Sequence, residues 1–207
     1  MANTNSPFGF KWQGLNGGTA APTAGLVKMK ISSGSDASQY GEGDPLKKLN
    51  TGYVTAFTKG TAVSQLAGIF KACEYYNTAL GRRVWSNYYP GSGSSGDVDV
   101  YVVPCIGTPN PQLLVQSAGA VAVGFGDIGQ NTDILSGSST TGTAVGGYYR
   151  SACSIDLVAN FTTTATLPFR IVGLWSDVAA PGAPGTDNTT PFNWVLVEAN
   201  GAQETGI

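Results

Sequence analysis

The 207-residue chain contains no histidine. That absence removes the commonest general base, the usual serine and cysteine triads and most zinc sites. Carboxylates, lysine and tyrosine are left as the groups an enzyme of this composition could use. Charge is also scarce. Asp, Glu, Lys and Arg make up 12% of the residues, about half the usual share of roughly 25%. That argues against a coiled coil, a helical bundle or a charge-driven disordered chain. No apolar run reaches the ~18 residues of a membrane-spanning helix, so no membrane contact is expected. The opening MANTNSPFGF has no basic stretch followed by an apolar one, so no secretory leader is expected. Cysteine is limited to Cys73, Cys105 and Cys153, an odd number, far apart and without a CxxC. Neither a metal site nor a disulfide framework is expected from them. They read as reduced, buried, small apolar residues of a protein made in a cytoplasm.

What the chain does contain is glycine, 29 residues of it, about twice the usual frequency of roughly 7%. Threonine and serine fill much of the space that charge leaves. The composition suits an all-β chain with a barrel or sandwich-like domain and long Gly/Pro/Ser loops. The net charge of −2 gives no global pull toward nucleic acid. Its distribution is uneven. Residues 1–83 hold nine of the eleven Lys/Arg and four of the thirteen acids, a net +5, and residues 84–207 a net −7. Folding can interleave the two signs, or it can leave two electrically distinct faces suited to an acidic partner or to further copies.

Residues 1–25 read as an extended N-terminal arm ahead of a single β-rich domain, 26–207. The arm shows neither helical period nor long strand. Phe8, Phe10 and Trp12 project from it. Aromatic rings on a tether dock somewhere, on their own domain or on a neighbouring subunit. Leu26–Ile31 alternates Val27, Met29 and Ile31 with Lys28 and Lys30, as a half-buried strand does. A polar loop through Gly41, Gly43, Asp44 and Pro45 follows, then a strand over 51–57. Residues 63–90 combine near-helical spacing with Tyr75, Tyr76 and a returning aromatic stretch, and a hairpin turning at Thr78–Gly81 is predicted. Val98, Val100 and Val102 alternate with Asp97, Asp99 and Tyr101. Leu113–Ala118 and Gly119–Phe125 read as an apolar pair, and Phe169–Trp175 and Phe192–Val197 as late strands.

Four patterns could carry chemistry. Gly124–Gly129 matches GxGxxG, but no helix-forming segment follows to face a pyrophosphate, so a turn or bulge is expected and no cofactor. Asp97 and Asp99 sit at i and i+2 on one strand. Two carboxylates make neither a calcium site nor an acid–base pair by themselves, and a solvated strand face is expected. Asp127 and Asp133, flanking a polar turn, read the same way. Lys47-Lys48 and Arg82-Arg83 are the basic doublets. The second lies near Tyr75, Tyr76, Trp85, Tyr88 and Tyr89, a mixture that fits a protein contact better than single-stranded nucleic acid.

NSPFGF at the start, GIF (Gly68–Phe70) with Tyr75-Tyr76 and Trp85–Tyr89, DIGQNTDIL (Asp127–Leu135) and TATLPFRIVGL (Thr164–Leu174) together resemble the minor capsid, or cement, proteins of tailed bacteriophages. The resemblance spans most of the chain, which departs from it in its longer Gly/Pro loops. It implies a non-enzymatic, all-β decoration protein of the virion capsid. Such a protein binds the outside of the head as a homo-oligomer, a trimer rather than a dimer, and bridges major capsid subunits against internal DNA pressure. No catalytic, metal or cofactor residue comes with it. The expected capsid or oligomer contacts are the arm aromatics Phe8, Phe10 and Trp12, with Lys28, Lys30, Lys47 and Lys48 meeting an acidic capsid face. A glycan- or receptor-binding β module of a virion is the alternative, because aromatic β faces also stack on sugars.

Overall fold

A computed structural model describes residues 2–15, 25–32, 38–105, 110–135, 149–156, 162–175 and 187–200. The strands in chain order are β1 (Lys11–Leu15), β2 (Val27–Ile31), β3 (Tyr40–Gly41), β4 (Pro45–Lys48), β5 (Val54–Ala56), β6 (Leu66–Asn77) and β7 (Arg82–Ser86). They continue with β8 (Tyr88–Tyr89), β9 (Ser94–Pro104), β10 (Pro111–Ala118), β11 (Asn131–Ile134), β12 (Ile155–Asp156), β13 (Phe169–Leu174) and β14 (Trp194–Ala199). The helical pieces among the described residues are two 3-10 turns of three residues each. The protein is all-β, as its composition predicts.

Strands β10, β14, β13, β11 and β12 pair in that order, and β12 returns to β10 at Ser117 and Ala118. The pairings therefore close into a ring. Strand β1 lies on β10 ahead of the closure point, from Lys11↔Leu114 to Leu15↔Pro111. Leu113, Val115, Ile171, Val195 and Val197 alternate along their strands and are fully buried inside. The other face of β10 is buried as well, because the N-terminal segment covers it. Gln116 there accepts from Ser6 N–H at 2.9 Å and donates to the Thr4 carbonyl at 2.8 Å.

That segment is integrated into the ring. Asn3 Nδ2 donates to the Asp187 carbonyl at 2.8 Å. Phe10 is 2% exposed and stacks on Phe169 at 4.5 Å between ring centroids. Gly9 has φ +76°, and a Cβ there would stand 2.4 Å from Ser151 Cβ, so this close crossing requires glycine. Within the segment, Lys11–Leu15 forms a short strand of five residues. Gly25 alone of residues 16–25 is described.

The second sheet runs β2-β9-β6-β4-β5, with β7 on the edge of β6 that β4 leaves open. The predicted hairpin is β6 and β7, in register from Cys73↔Ser86 to Asn77↔Arg82. Asn77 Oδ1 closes its turn by accepting from Ala79 and Leu80 N–H, both at 3.0 Å. Val98, Val100 and Val102 face a second core with Leu46, Phe70 and the two-residue ribbon β3–β8. The expected loop at Asp44-Pro45 instead opens strand β4. Asp44 is buried there, its carboxylate accepting from Gly41 N–H at 2.8 Å and Ser151 Oγ–H at 2.5 Å. Of the expected apolar pair, the first member is β10 and the second, 119–125, forms no strand. Gly119 sits at φ +110°, and Phe125–Asp127 forms a 3-10 turn that Asp127 Oδ2 closes by accepting from Gly124 N–H at 2.8 Å. All three cysteines are free and buried, and burial pushes the Cys73 and Cys105 thiols up to about 12.

Candidate functional site: the outer face of the second sheet

Residues paired across antiparallel strands share a face. Register therefore assembles one row from four strands: Lys30 opposite Asp99, Asp99 opposite Glu74, and Glu74 opposite Trp85. A neighbouring row sets Lys28 opposite Tyr101, and Tyr76 lies opposite Arg83. The valines between these positions point into the core. The face is thus the polar half of the alternation the sequence displays.

Asp99 is its centre and is 6% exposed. Its carboxylate accepts from Lys28 Nζ at 2.8 Å and Arg83 Nη2 at 3.3 Å, and Lys30 Nζ lies 3.9 Å away. Arg83 Nε also reaches Glu74 Oε1 at 3.2 Å. The Lys28 hydrogen bond, outweighing desolvation, holds the Asp99 carboxyl below the usual carboxylate range, and the same bond raises Lys28. Asp99 therefore stays ionised at neutral pH, a fixed charge that orders the cations around it. The expected solvated carboxylate pair is corrected here. Asp97 alone is exposed, and it accepts from the Tyr53 hydroxyl at 3.1 Å.

Beside this network Trp85 is 60% exposed. Its ring meets Tyr101 at 4.6 Å between centroids, tilted by 44°. Tyr76 is exposed as well. The sheet backbone fixes the positions from which these rings and the Arg83 fork project, which reduces the ordering a partner must impose.

The expected contact residues separate. Lys28 and Lys30 belong to the face. Lys47 and Lys48 lie half-buried on β4, on the far side of β6 from β9 and β2. Phe10 is in the core. Phe8 is half-buried edge-on to Trp194 at 5.2 Å, with Lys11 Nζ 4.5 Å over its ring. Trp12 packs partly buried against the ring core. Among the aromatic neighbours of Arg82-Arg83, Tyr75 and Tyr89 turn into the second core, while Tyr76 and Trp85 turn out. After Gly129 the chain enters β11, not a helix, in keeping with a turn at GxGxxG.

Sequence reasoning set Tyr101 on the outward side of its strand but missed Glu74 and the meeting of both with Trp85, because only cross-strand register brings them there. It also missed Phe125, 82% exposed on the 3-10 turn, with Val121 exposed nearby in the sequence. The flanking Gly124 and Gly126 were the available signal, since they leave a ring free to project. No family model matches the chain, and no curated protein or solved structure is similar to it.

Proposed function

We propose that the protein is an adhesive structural component of a tailed-phage virion, a cement protein on the outside of the head. It bridges major capsid subunits and holds them against internal DNA pressure. The observation that carries this reading is the outer face of the second sheet. Trp85, Tyr101, Tyr76 and Arg83 stand together on a rigid sheet, and Trp, Tyr and Arg are the residue types that dominate binding hot spots. A fixed charge network surrounds them and sets register with a partner more than it adds affinity. The resemblance in NSPFGF, DIGQNTDIL and TATLPFRIVGL supplies the capsid as partner and the virion as location. Many copies, each with a modest contact, add through multivalency, and association into trimers strengthens that addition. The function is adhesion, without turnover.

Binding of the Trp85→Ala variant to purified heads tests this. Occupancy at fixed protein concentration is expected to fall at least about tenfold, as for loss of one hot-spot ring, with circular dichroism unchanged. Occupancy equal to that of the parent contradicts the reading. The exposed Trp85 indole beside Tyr101, with Glu74 and Arg83 available to hydroxyls, also favours a second reading, a glycan-binding face. Retention by an immobilised glycan, and release of bound protein from heads by free sugar, would select it.

A further inference from the structure

We infer that the groove along the outer edge of β1 receives an extended peptide of another protein, added as a strand, with an apolar side chain in the groove and an acidic one at its rim. The site is separate from the outer face of the second sheet, and nothing in the inference depends on that face.

The groove encloses about 420 Å³ between β1 and the second sheet. Phe10, Lys11, Trp12 and Gln13 all line it. Phe10 N–H turns toward the second sheet, so the edge of β1 away from β10 borders the hollow, interrupted by the register shift between Trp12 and Gly14. Among the described residues β1 pairs along its other edge alone, with β10. A row of backbone N–H and C=O groups therefore faces the groove, the template that strand addition uses. At one end the pattern is already present, where Phe10 N–H donates to the Gly43 carbonyl at 2.9 Å.

Two further features define the occupant. Trp12 Nε1 is buried without a hydrogen-bond partner, although buried polar groups normally have one. It is sealed from the groove as the ring now packs, so a peptide carbonyl pairs with it only where the ring turns to expose the N–H. The wall opposite is apolar, with Ile69, Val103 and Leu26. The rim carries Lys11, Lys71 and Glu42, and Lys71 is paired with Glu42. One cation is left in surplus, so an acidic residue on the peptide is favoured. A row of backbone groups selects a peptide over a sugar or lipid, and the apolar wall with a basic rim selects its side chains.

The test uses the full chain labelled with nitrogen-15 and a capped eight-residue peptide alternating valine with threonine and glutamate. The Trp12 indole N–H resonance is expected to move, and the amides of Lys11–Leu15 to exchange more slowly. Replacing glutamate by lysine, or Lys11 by glutamate, should weaken binding about fivefold, the worth of one modest polar contact. Trp12→Phe keeps the ring and should weaken it similarly. Lys11 is exposed, so Lys11→Glu reports on binding even where Trp12→Phe disturbs the fold. A peptide with N-methylated backbone amides should not bind. The inference is overturned by an indole resonance unmoved at millimolar peptide, by equal binding of the N-methylated peptide, or by concentration-dependent protection of Lys11–Leu15 without peptide, which would make a second copy the occupant.

Discussion

The closed ring and the open sheet use the same alternation of apolar residues, yet they dispose of their polar side chains in opposite ways. In the ring several of those side chains are buried and bonded within the chain, with Arg170 on β13 left exposed. Asn193 is fully buried; its Nδ2 donates to the Val123 carbonyl at 3.0 Å, and its Oδ1 accepts from Ser117 Oγ at 3.0 Å and Val123 N–H at 3.1 Å. Asp133 Oδ2 accepts from Gly60 N–H at 2.8 Å, and Thr132 Oγ1 donates to the Asp156 carbonyl at 2.9 Å. Each of these bonds fixes a loop or a short strand where the ladder is only two residues long. In the open sheet Asp99 is sunk among its cations, while Trp85, Tyr76, Lys28 and Lys30 face solvent. The ring is built to hold its own chain, and the sheet leaves its polar face for something else.

Substitutions on each side sharpen that contrast. The largest effect is expected at Phe10. Truncating this buried ring to alanine should cost about 3–5 kcal/mol in denaturant unfolding. A loss under about 1 kcal/mol would mean that the N-terminal segment is a detachable arm. Asn193→Ala should follow at about 2–3 kcal/mol, since it leaves both backbone groups of Val123 buried without partners. Its measure is the shift in unfolding midpoint at constant denaturant slope.

Asp99→Asn should cost less, about 1–2 kcal/mol, because the half-exposed lysines it releases regain water. It also has a pH signature. The folded Asp99 carboxyl is held below its unfolded value of about 3.9. The stability it contributes is therefore present above that value and lost as pH falls through the lower, folded one. Thermal unfolding from about pH 2 to 6 should show a shallower acid limb in the variant. Lys28, raised by the same contact, contributes below its unfolded value and loses that contribution as pH rises through its folded one. The smallest change in stability is expected for Trp85→Ala, within about 0.5 kcal/mol. A larger loss would make Trp85 a packing residue and erase the difference between the two regions.

Strict alternation made β2 and β9 legible, apolar runs β13 and β14, and the Tyr75-Tyr76 pair with its aromatic return the β6–β7 hairpin, while the charged half of β2 disclosed Lys28 and Lys30. Polar strands were not legible. Asn131–Ile134 is buried throughout, but three of its four residues are polar and carry no period-two signal. Asp44 before Pro45 has the composition of a turn, and its partner Ser151 lies more than a hundred residues on. Phe8 and Phe10 are equivalent in the sequence, and only the approach of Phe169 separates them. Trp85 and Arg83 stood out by residue type. Their meeting with Tyr101 and Asp99 depends on the β6–β9 register, which shifts at two bulges that no local pattern announces.

Hydrogen exchange of the protein free and bound to purified heads reports most directly on which surface adheres. Slowed exchange in Val27–Ile31 and Arg82–Ser86, the outer strands that carry Lys28 and Trp85 on either side of Asp99, is expected on binding. Unchanged exchange in both segments, with protection falling elsewhere in a head-bound chain, contradicts an adhesive second sheet.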